Sequence, residues 1–261
     1  MNYIMQKKSM VSIITPSWNC GRFVAETIRS VQAQTYTNWE LLFQDDCSTD
    51  ETKAIVEKFA SVDSRIKYEC NPYNSGAAIT RNNALRRAEG KWIAFLDSDD
   101  LWLPEKLELQ IRFMEEHGYD FTYHEYTEMT EDGIDNGIYV SGIKKVNKFD
   151  MYACCWPGCL AVMYNREKIG LIQINDIRKN NDTAMWLKVV HHAPCYLLEK
   201  NLARYRRRKG SITPPNIWQR IWAHYPLFRI AEEMNIMTAT FFTLLNICGN
   251  VYKKLFYVKS V

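Results

Sequence analysis

Leu96-Asp97-Ser98-Asp99-Asp100 sets two carboxylates one residue apart at the end of a short apolar run. At the mouth of a buried strand both can reach one divalent cation, and Mg2+ or Mn2+ takes such oxygen donors together with phosphate oxygens. A cation held there stabilises negative charge growing on a departing diphosphate without a proton donor. The same triplet also suits a helix start, with Asp99 or Asp100 capping a helix begun near Pro104, so spacing alone leaves both readings open. Asp45-Asp46-Cys47-Ser48-Thr49-Asp50 has acceptors for a ligand N–H and also the residue types of a capped turn. The run Arg204 to Lys209 can contact phosphate or form a solvated or membrane-facing basic patch. His191 and His192 would point about a quarter-turn apart on a helix, with no carboxylate pattern beside them, and are read as structural.

Elements must hold these side chains in place. Val11 to Thr15 is an apolar run ended by Pro16, and Phe23 to Ala33 sets Phe23, Thr27, Ile28 and Val31 at helical spacing. The pattern repeats as a strand at Trp39 to Gln44, a helix at Asp50 to Ala60, a strand at Ile66 to Cys70, a helix at Ala77 to Ala88 and a strand at Trp92 to Leu96. Such alternation predicts a parallel sheet covered on both faces, with ligand bound beyond the carboxyl ends of its strands. The loops Pro16-Ser17-Trp18-Asn19, Asp45 to Asp50 and Asp97 to Asp100 are therefore expected to converge on one pocket. Neither G-x-G-x-x-G nor G-x-x-x-x-G-K-[ST] occurs in them, which argues against an ordinary dehydrogenase or P-loop NTPase. Farther on, Leu103 to Glu116 reads as a helix, Tyr119 to Met129 as an exposed strand and Gly133 to Gly142 as turn-rich. Leu160 to Tyr164 reads as a short buried strand, Asp182 to His191 as a helix and Cys195 to Leu198 as a strand. From Ile217 the chain reads as helical nearly to its end, with Trp218, Ile221, Trp222, Tyr225 and Phe228 as an aromatic stripe.

A chain of 261 residues, 47% of them hydrophobic, can build one large α/β domain with appendages. Its net charge of +3 is too mild for a nucleic-acid partner. Eight cysteines lack the density of a small secreted disulfide scaffold and read as free thiols. Cys154, Cys155 and Cys159 have neither a C-x-x-C pair nor a nearby histidine, and read as buried small hydrophobes rather than zinc ligands. Met1 to Met10 has no apolar signal-peptide segment, so a cytoplasmic location is expected. Met234 to Tyr252 is uncharged, but Thr238, Thr240, Thr243, Asn246 and Asn250 make it too polar for a membrane span. With Lys253, Lys254 and Lys259 it suits peripheral contact with an anionic lipid surface, or packing on the domain or on a second subunit as a homodimer.

Four segments in order carry a resemblance. Val11-Ser-Ile-Ile-Thr-Pro-Ser-Trp-Asn19, Asp45-Asp-Cys-Ser-Thr-Asp-Glu-Thr52, Asn74-Ser-Gly76 with Arg81-Asn82, and Ala88-Glu-Gly-Lys-Trp-Ile-Ala-Phe-Leu-Asp-Ser-Asp-Asp100 resemble the signature of family 2 glycosyltransferases with the GT-A fold. The match is close over roughly the first half and looser to Thr213. It implies an α/β fold with a Rossmann-like, mostly parallel central sheet flanked by helices and a C-terminal helical extension. Residues 1–213 would form the catalytic domain, divided near 100 into nucleotide-binding and acceptor-binding halves, and 214–261 the extension.

The resemblance also implies an activity and a site. The reaction would be inverting transfer from a UDP-sugar donor to a saccharide acceptor, polyprenyl-diphosphate-linked in relatives that build bacterial surface polysaccharides, with Mn2+ or Mg2+. Thr15 and Asp46 would contact uracil, Asp46 by accepting its imide N–H, which cytosine lacks. Pro16, Ser17, Asn19 and Ser98 would line the donor site, and Arg81 would lie near its phosphates. Asp99 would be the firmer metal ligand, with Asp97 shared between metal and ribose and Asp100 structural. Asn181-Asp182-Thr-Ala-Met-Trp-Leu187 resembles the family's E-D-x-x-x-W-L segment, making Asp182 the base for the acceptor hydroxyl. Asn181 replaces the glutamate, and an amide can bond but not share charge. Tyr205-Arg206-Arg-Arg-Lys-Gly-Ser211 resembles Y-R-x-H-x-x-S, with Arg208 in the histidine's place; Arg206 and Arg208 would reach the diphosphate, but arginine cannot ligate the metal. Trp156 stands where relatives shape the acceptor pocket, suited to sugar stacking or to the core. A sugar-1-phosphate nucleotidyltransferase is disfavoured because the first loop lacks a glycine-rich, arginine-containing turn, and a catalytically silent sugar-nucleotide-binding protein is the remaining rival.

Overall fold

The computed structural model describes residues 9–177, 179–208 and 223–260. Strands β1 (Val11–Ser17) and β2 (Trp39–Asp45) are buried along their whole length, as parallel strands covered on both faces must be. Between them α1 (Val24–Gln32) turns Val24, Thr27, Ile28 and Val31 inward. Helix α2 (Thr52–Ala60), strand β3 (Ile66–Cys70), helix α3 (Ala77–Arg86) and strand β4 (Trp92–Phe95) continue the alternation. β1 pairs in parallel with β2 and β4, and β2 with β3. The chain thus winds from β1 out to β3 and returns on the other side of β1. At that switch point the loops after β1 and β4 part and leave a crevice.

Beyond β4 come β5 (Leu101–Trp102), α4 (Lys106–His117), β6 (Phe121–Met129), β7 (Asp135–Val140), β8 (Lys145–Val146), α5 (Lys148–Ala153), β9 (Met163–Asn165), α6 (Arg166–Ile169), α7 (Asn181–Val190) and β10 (Cys195–Arg206). Here antiparallel pairs dominate, β9 joining β4 to β6 and β7 flanking β6, while β10 runs parallel to β6. Three expectations are corrected. The strand expected to be exposed, β6, is buried at Phe121 and Tyr123, because β7, β9 and β10 all pair with it from later in the chain. The turn-rich stretch forms β7, the second strand of a hairpin, and β10 runs on from Leu198 to Arg206.

The C-terminal segment is not helical alone. Helix α8 (Ile236–Phe256) is followed by β11 (Val258–Ser260), which pairs with β7 and extends the same sheet. Phe228 is buried and stacks on Phe242 at 5.9 Å. Trp218, Ile221, Trp222 and the expected boundary near 213 lie outside the described residues. All eight cysteines are free thiols. No helix among the described residues is long and apolar enough to cross a membrane.

Lys106, at the start of α4, is fully buried with its amine 3.7 Å from the centre of the Trp102 ring and no hydrogen-bond partner among the described residues. Burial pulls its amine well below the ordinary lysine value. Between that lowered value and the unfolded value near ~10.4, the unfolded chain holds a proton that the folded one lacks, so this group makes stability rise with pH, by at most about 1.4 kcal/mol per pH unit. Lys106→Met is expected to remove that slope and stabilise the fold by about 2 kcal/mol at neutral pH, since a buried donor without a partner costs about that much. Thermal melts of both chains from neutral pH to about pH 10 check it; a variant that melts lower at neutral pH refutes it.

Candidate active site

The loops after β1 and β2 are laced together before any ligand is considered. Thr49 N donates to Asn19 Oδ1 at 2.9 Å, Asn19 N to Ser48 Oγ at 2.8 Å, and Gly21 N to Asp50 Oδ2 at 2.9 Å. Asn19 therefore ties loops together and does not line the cleft. Pro16, Ser17, Asp46, Arg81, Asp97, Ser98, Asp99, Arg206 and Arg208 do line it, around a volume of about 760 Å³. Thr15 lies beneath, fully buried, its hydroxyl without a hydrogen-bond partner among the described residues.

Asp46 is oriented by its own fold. Asn71 Nδ2 and Ser75 N donate to its Oδ1 at 2.8 and 2.7 Å, and Gly76 N donates to Oδ2 at 2.8 Å. A carboxylate offers about four acceptor positions, so roughly one remains for a ligand N–H. Gly76 has φ +84, a conformation that favours glycine, which explains the Asn74-Ser75-Gly76 turn. Asn71 carried no signal in the sequence. Trp18 and Tyr205, each within a segment already expected at the site, also line the cleft, Trp18 standing 57% exposed at its mouth.

The acidic triplet is answered by arginines. Arg81 Nη2 lies 2.6 Å from Asp97 Oδ1, and Arg208 Nε 2.9 Å from Asp99 Oδ2. Burial first, then the charge of Asp97, pushes the Asp99 carboxyl up, with Arg208 opposing. Asp100 is buried; burial and its neighbours Asp99 and Asp97 raise it well above the usual range, and Arg206 N donates to its Oδ1 at 2.8 Å. Asp100 is thus held by the fold.

Arg206, expected at the diphosphate, has a different occupation. Its guanidinium donates to Asp99 O at 2.8 Å, Glu131 O at 2.8 Å and Glu26 Oε2 at 2.7 Å, and its side chain is 1% exposed. It braces the loop under Asp99. Arg208, with its side chain 37% exposed, lines the cleft and is open to an anion there.

Arg81 joins the two halves of the site. Besides Asp97 it donates through Nη1 to Asn181 Oδ1. Burial would depress this guanidinium, but Asp97, Cys159 and Asp182 hold its value up. Asn181, expected to touch the acceptor, is therefore engaged by Arg81 and buried. Its neighbour Asp182 is half-buried in the first turn of α7, its Oδ1 accepting from Thr183 N at 2.7 Å, while Asn180 occupies the cap position. Trp156 is buried, edge-on to Tyr257 at 5.1 Å between ring centres.

As to a metal, no group of three His, Cys, Asp or Glu among the described residues could hold one. Asp97 and Asp99 nevertheless fit Mg2+ or Mn2+, hard cations that bind through one or two carboxylates and complete their shell with water and substrate phosphate. The mutual repulsion that helps raise Asp99 is what a cation would relieve.

The family model described as glycosyl transferase family 2 matches residues 12–136. TuaG of Bacillus subtilis (strain 168), named a glycosyltransferase of teichuronic acid biosynthesis, is 38% identical over 234 residues, 89% of this chain and 92% of that protein. WfgD of Escherichia coli, a UDP-Glc:alpha-D-GlcNAc-diphosphoundecaprenol beta-1,3-glucosyltransferase, is 40% identical over 181 residues, 69% of this chain and 70% of that one. Among solved structures, residues 1–349 of S. aureus TarS in complex with UDP-GlcNAc superpose with a TM-score of 0.70 at 21% identity, over 89% of this chain and 69% of that chain.

Proposed function

The chain belongs to glycosyltransferase family 2 and is a glycosyltransferase with the GT-A fold; on that premise we propose that it moves a sugar, with inversion, from a UDP-sugar to a saccharide hydroxyl, with Asp182 as the base. The observation that carries the reading is the Arg81 guanidinium, which touches Asp97 on one side and Asn181, next to Asp182, on the other. One guanidinium thus links the carboxylate at the end of β4 to the start of α7, which supports a single site shared by donor and base. WfgD uses UDP-Glc and a diphosphoundecaprenol-linked GlcNAc, which supports a UDP-sugar and a lipid-linked acceptor in surface polysaccharide synthesis.

Asp46 would accept the uracil imide N–H at its remaining position, and Arg81 and Arg208 would meet the phosphates. Mn2+ or Mg2+, held by Asp99 and Asp97, would supply Lewis-acid stabilisation of the leaving diphosphate. Asp182 would take the acceptor proton as the hydroxyl attacks, and Trp156 would support the acceptor side through its packing on Tyr257. Residues 1–100 would serve the nucleotide and 101–213 the acceptor, with 214–261 attached to that half. A mass-spectrometric screen of UDP-glucose, UDP-N-acetylglucosamine and GDP-mannose against lipid-linked monosaccharides tests this. Product formed from GDP-mannose alone would sink the uracil assignment.

Peripheral contact with the cytoplasmic face of a membrane is the companion reading. Met237, Phe241, Leu244, Val251 and Leu255 share the exposed face of α8, a helix with no acidic residue; exposed Lys254 flanks that face, while Lys253 lies on the opposite one. The chain should float with vesicles containing phosphatidylglycerol, and Phe241→Ser with Leu244→Ser should stay behind. A dimer in light scattering that those substitutions dissolve, without flotation, would instead make this face a subunit interface.

A further inference from the structure

The opposite face of α8 is in register with the backbone leading into the acceptor side. Asn246 Nδ2 donates to Tyr152 O at 2.9 Å. A Cβ on Gly249 would lie 1.9 Å from Ala153 O, so only glycine lets the helix come this close. Cys154 Sγ donates to Asn250 Oδ1 at 3.7 Å. One turn on, Lys253 Nζ donates to Cys155 O at 3.0 Å and to Trp156 O at 2.6 Å. Seven helical residues rise about 10 Å, alongside the end of α5 and the chain that continues from Cys154 to Trp156.

The segment so held bears directly on the site. Thr183 Oγ1 donates to Cys155 Sγ at 3.0 Å, and Thr183 N holds Asp182. Burial and then the nearby Asp182 charge push the Cys155 thiol up to about 11. At the far end, Cys159 Sγ lies 3.9 Å from Asp97 Oδ1. The stretch from Cys155 to Cys159 therefore runs between the base and the donor carboxylates.

We propose that Lys253 is a positioning residue whose ammonium fixes the Cys155 and Trp156 carbonyls and so sets the acceptor side of the cleft against Asp182. An ammonium has three donors and no acceptor, so two carbonyls on one side of it define both its place and theirs. Such charge-assisted bonds are stronger than neutral ones. The inference rests on the assignment of Trp156 to the acceptor side.

The test compares Lys253→Met, Lys253→Arg and Lys254→Met. Iodoacetamide labelling of Cys155, located by peptide mass mapping, should quicken about tenfold in Lys253→Met, as expected if roughly one charge-assisted bond is lost. Lys253→Arg, which keeps a charged donor, should restore the parent rate, and Lys254→Met should match the parent. UDP affinity by calorimetry should be unchanged in all three. With UDP-glucose and an alkyl-diphosphate-linked N-acetylglucosamine, the acceptor KM should rise in Lys253→Met while the donor KM holds. Parent-like labelling in Lys253→Met, or the same change in Lys254→Met, overturns the proposal. If Lys253→Met does not fold, Lys253→Gln, with two N–H donors on a shorter chain, takes its place in each comparison. Trp156→Ala separates the premise: an unaltered acceptor KM there refutes the acceptor-side assignment, while labelling still decides the role of Lys253.

Discussion

Asp182→Asn is expected to lower turnover by about 10²- to 10⁴-fold, the range that a positioned general base contributes, while UDP affinity stays within about twofold of the parent. The two outcomes separate because Asp182 does not line the donor cleft, whereas Asp97, whose partner Arg81 lies between them, does. Asparagine keeps the oxygen that accepts from Thr183 N, so the first turn of α7 should survive. Stopped assays with the matched donor and acceptor, beside calorimetry with UDP, measure both quantities. Retained turnover in a normally folded variant would remove Asp182 from the reaction.

Asp99→Asn should weaken the binding of UDP-sugar in Mn2+ and cut turnover by about 10²-fold, because one of the two carboxylates proposed to hold the metal is lost and metal stabilisation of a leaving group is worth several kcal/mol. Chelation should weaken donor binding to the parent and leave the variant little changed. Arg208→Met is the necessary companion, since Asp99 also pairs with Arg208 at 2.9 Å. That variant removes the pair but keeps both carboxylates, so it should bind donor less tightly yet remain metal-dependent. Should both variants lose affinity equally while chelator does nothing to the parent, Asp99 serves as an anchor for Arg208 and not as a metal ligand.

The division between Arg206 and Arg208 shows where one-dimensional reasoning stops. Both stand in one basic run, and both were expected at the diphosphate. Arg206 ends β10 and points into the body, where Asp99 O, 107 residues earlier, takes one of its N–H groups. Arg208, two residues on, leaves the strand and stays partly in solvent. Asn181, too, has its Oδ1 taken by Arg81, 100 residues away. Asp46 is likewise crowded by Asn71, Ser75 and Gly76. Asn74-Ser75-Gly76 stood out in the sequence only as part of the family resemblance; the structure shows why, since Gly76 takes a left-handed conformation that favours glycine.

By itself the sequence determined the alternating strands and helices of the first half, the loops that end β1, β2 and β4, and the one-residue spacing of Asp97 and Asp99. Each of these is written in a few neighbouring residues: a buried parallel strand must be apolar throughout, and turns and caps demand their own residue types. Tertiary structure alone decided that β6 is a buried strand, that the C-terminal segment closes on the sheet through β11, and that α8 turns Lys253 onto carbonyls 97 and 98 residues before it. The physical reason is that a strand's burial and a cation's partner depend on what is brought beside them, and those groups come from distant parts of the chain.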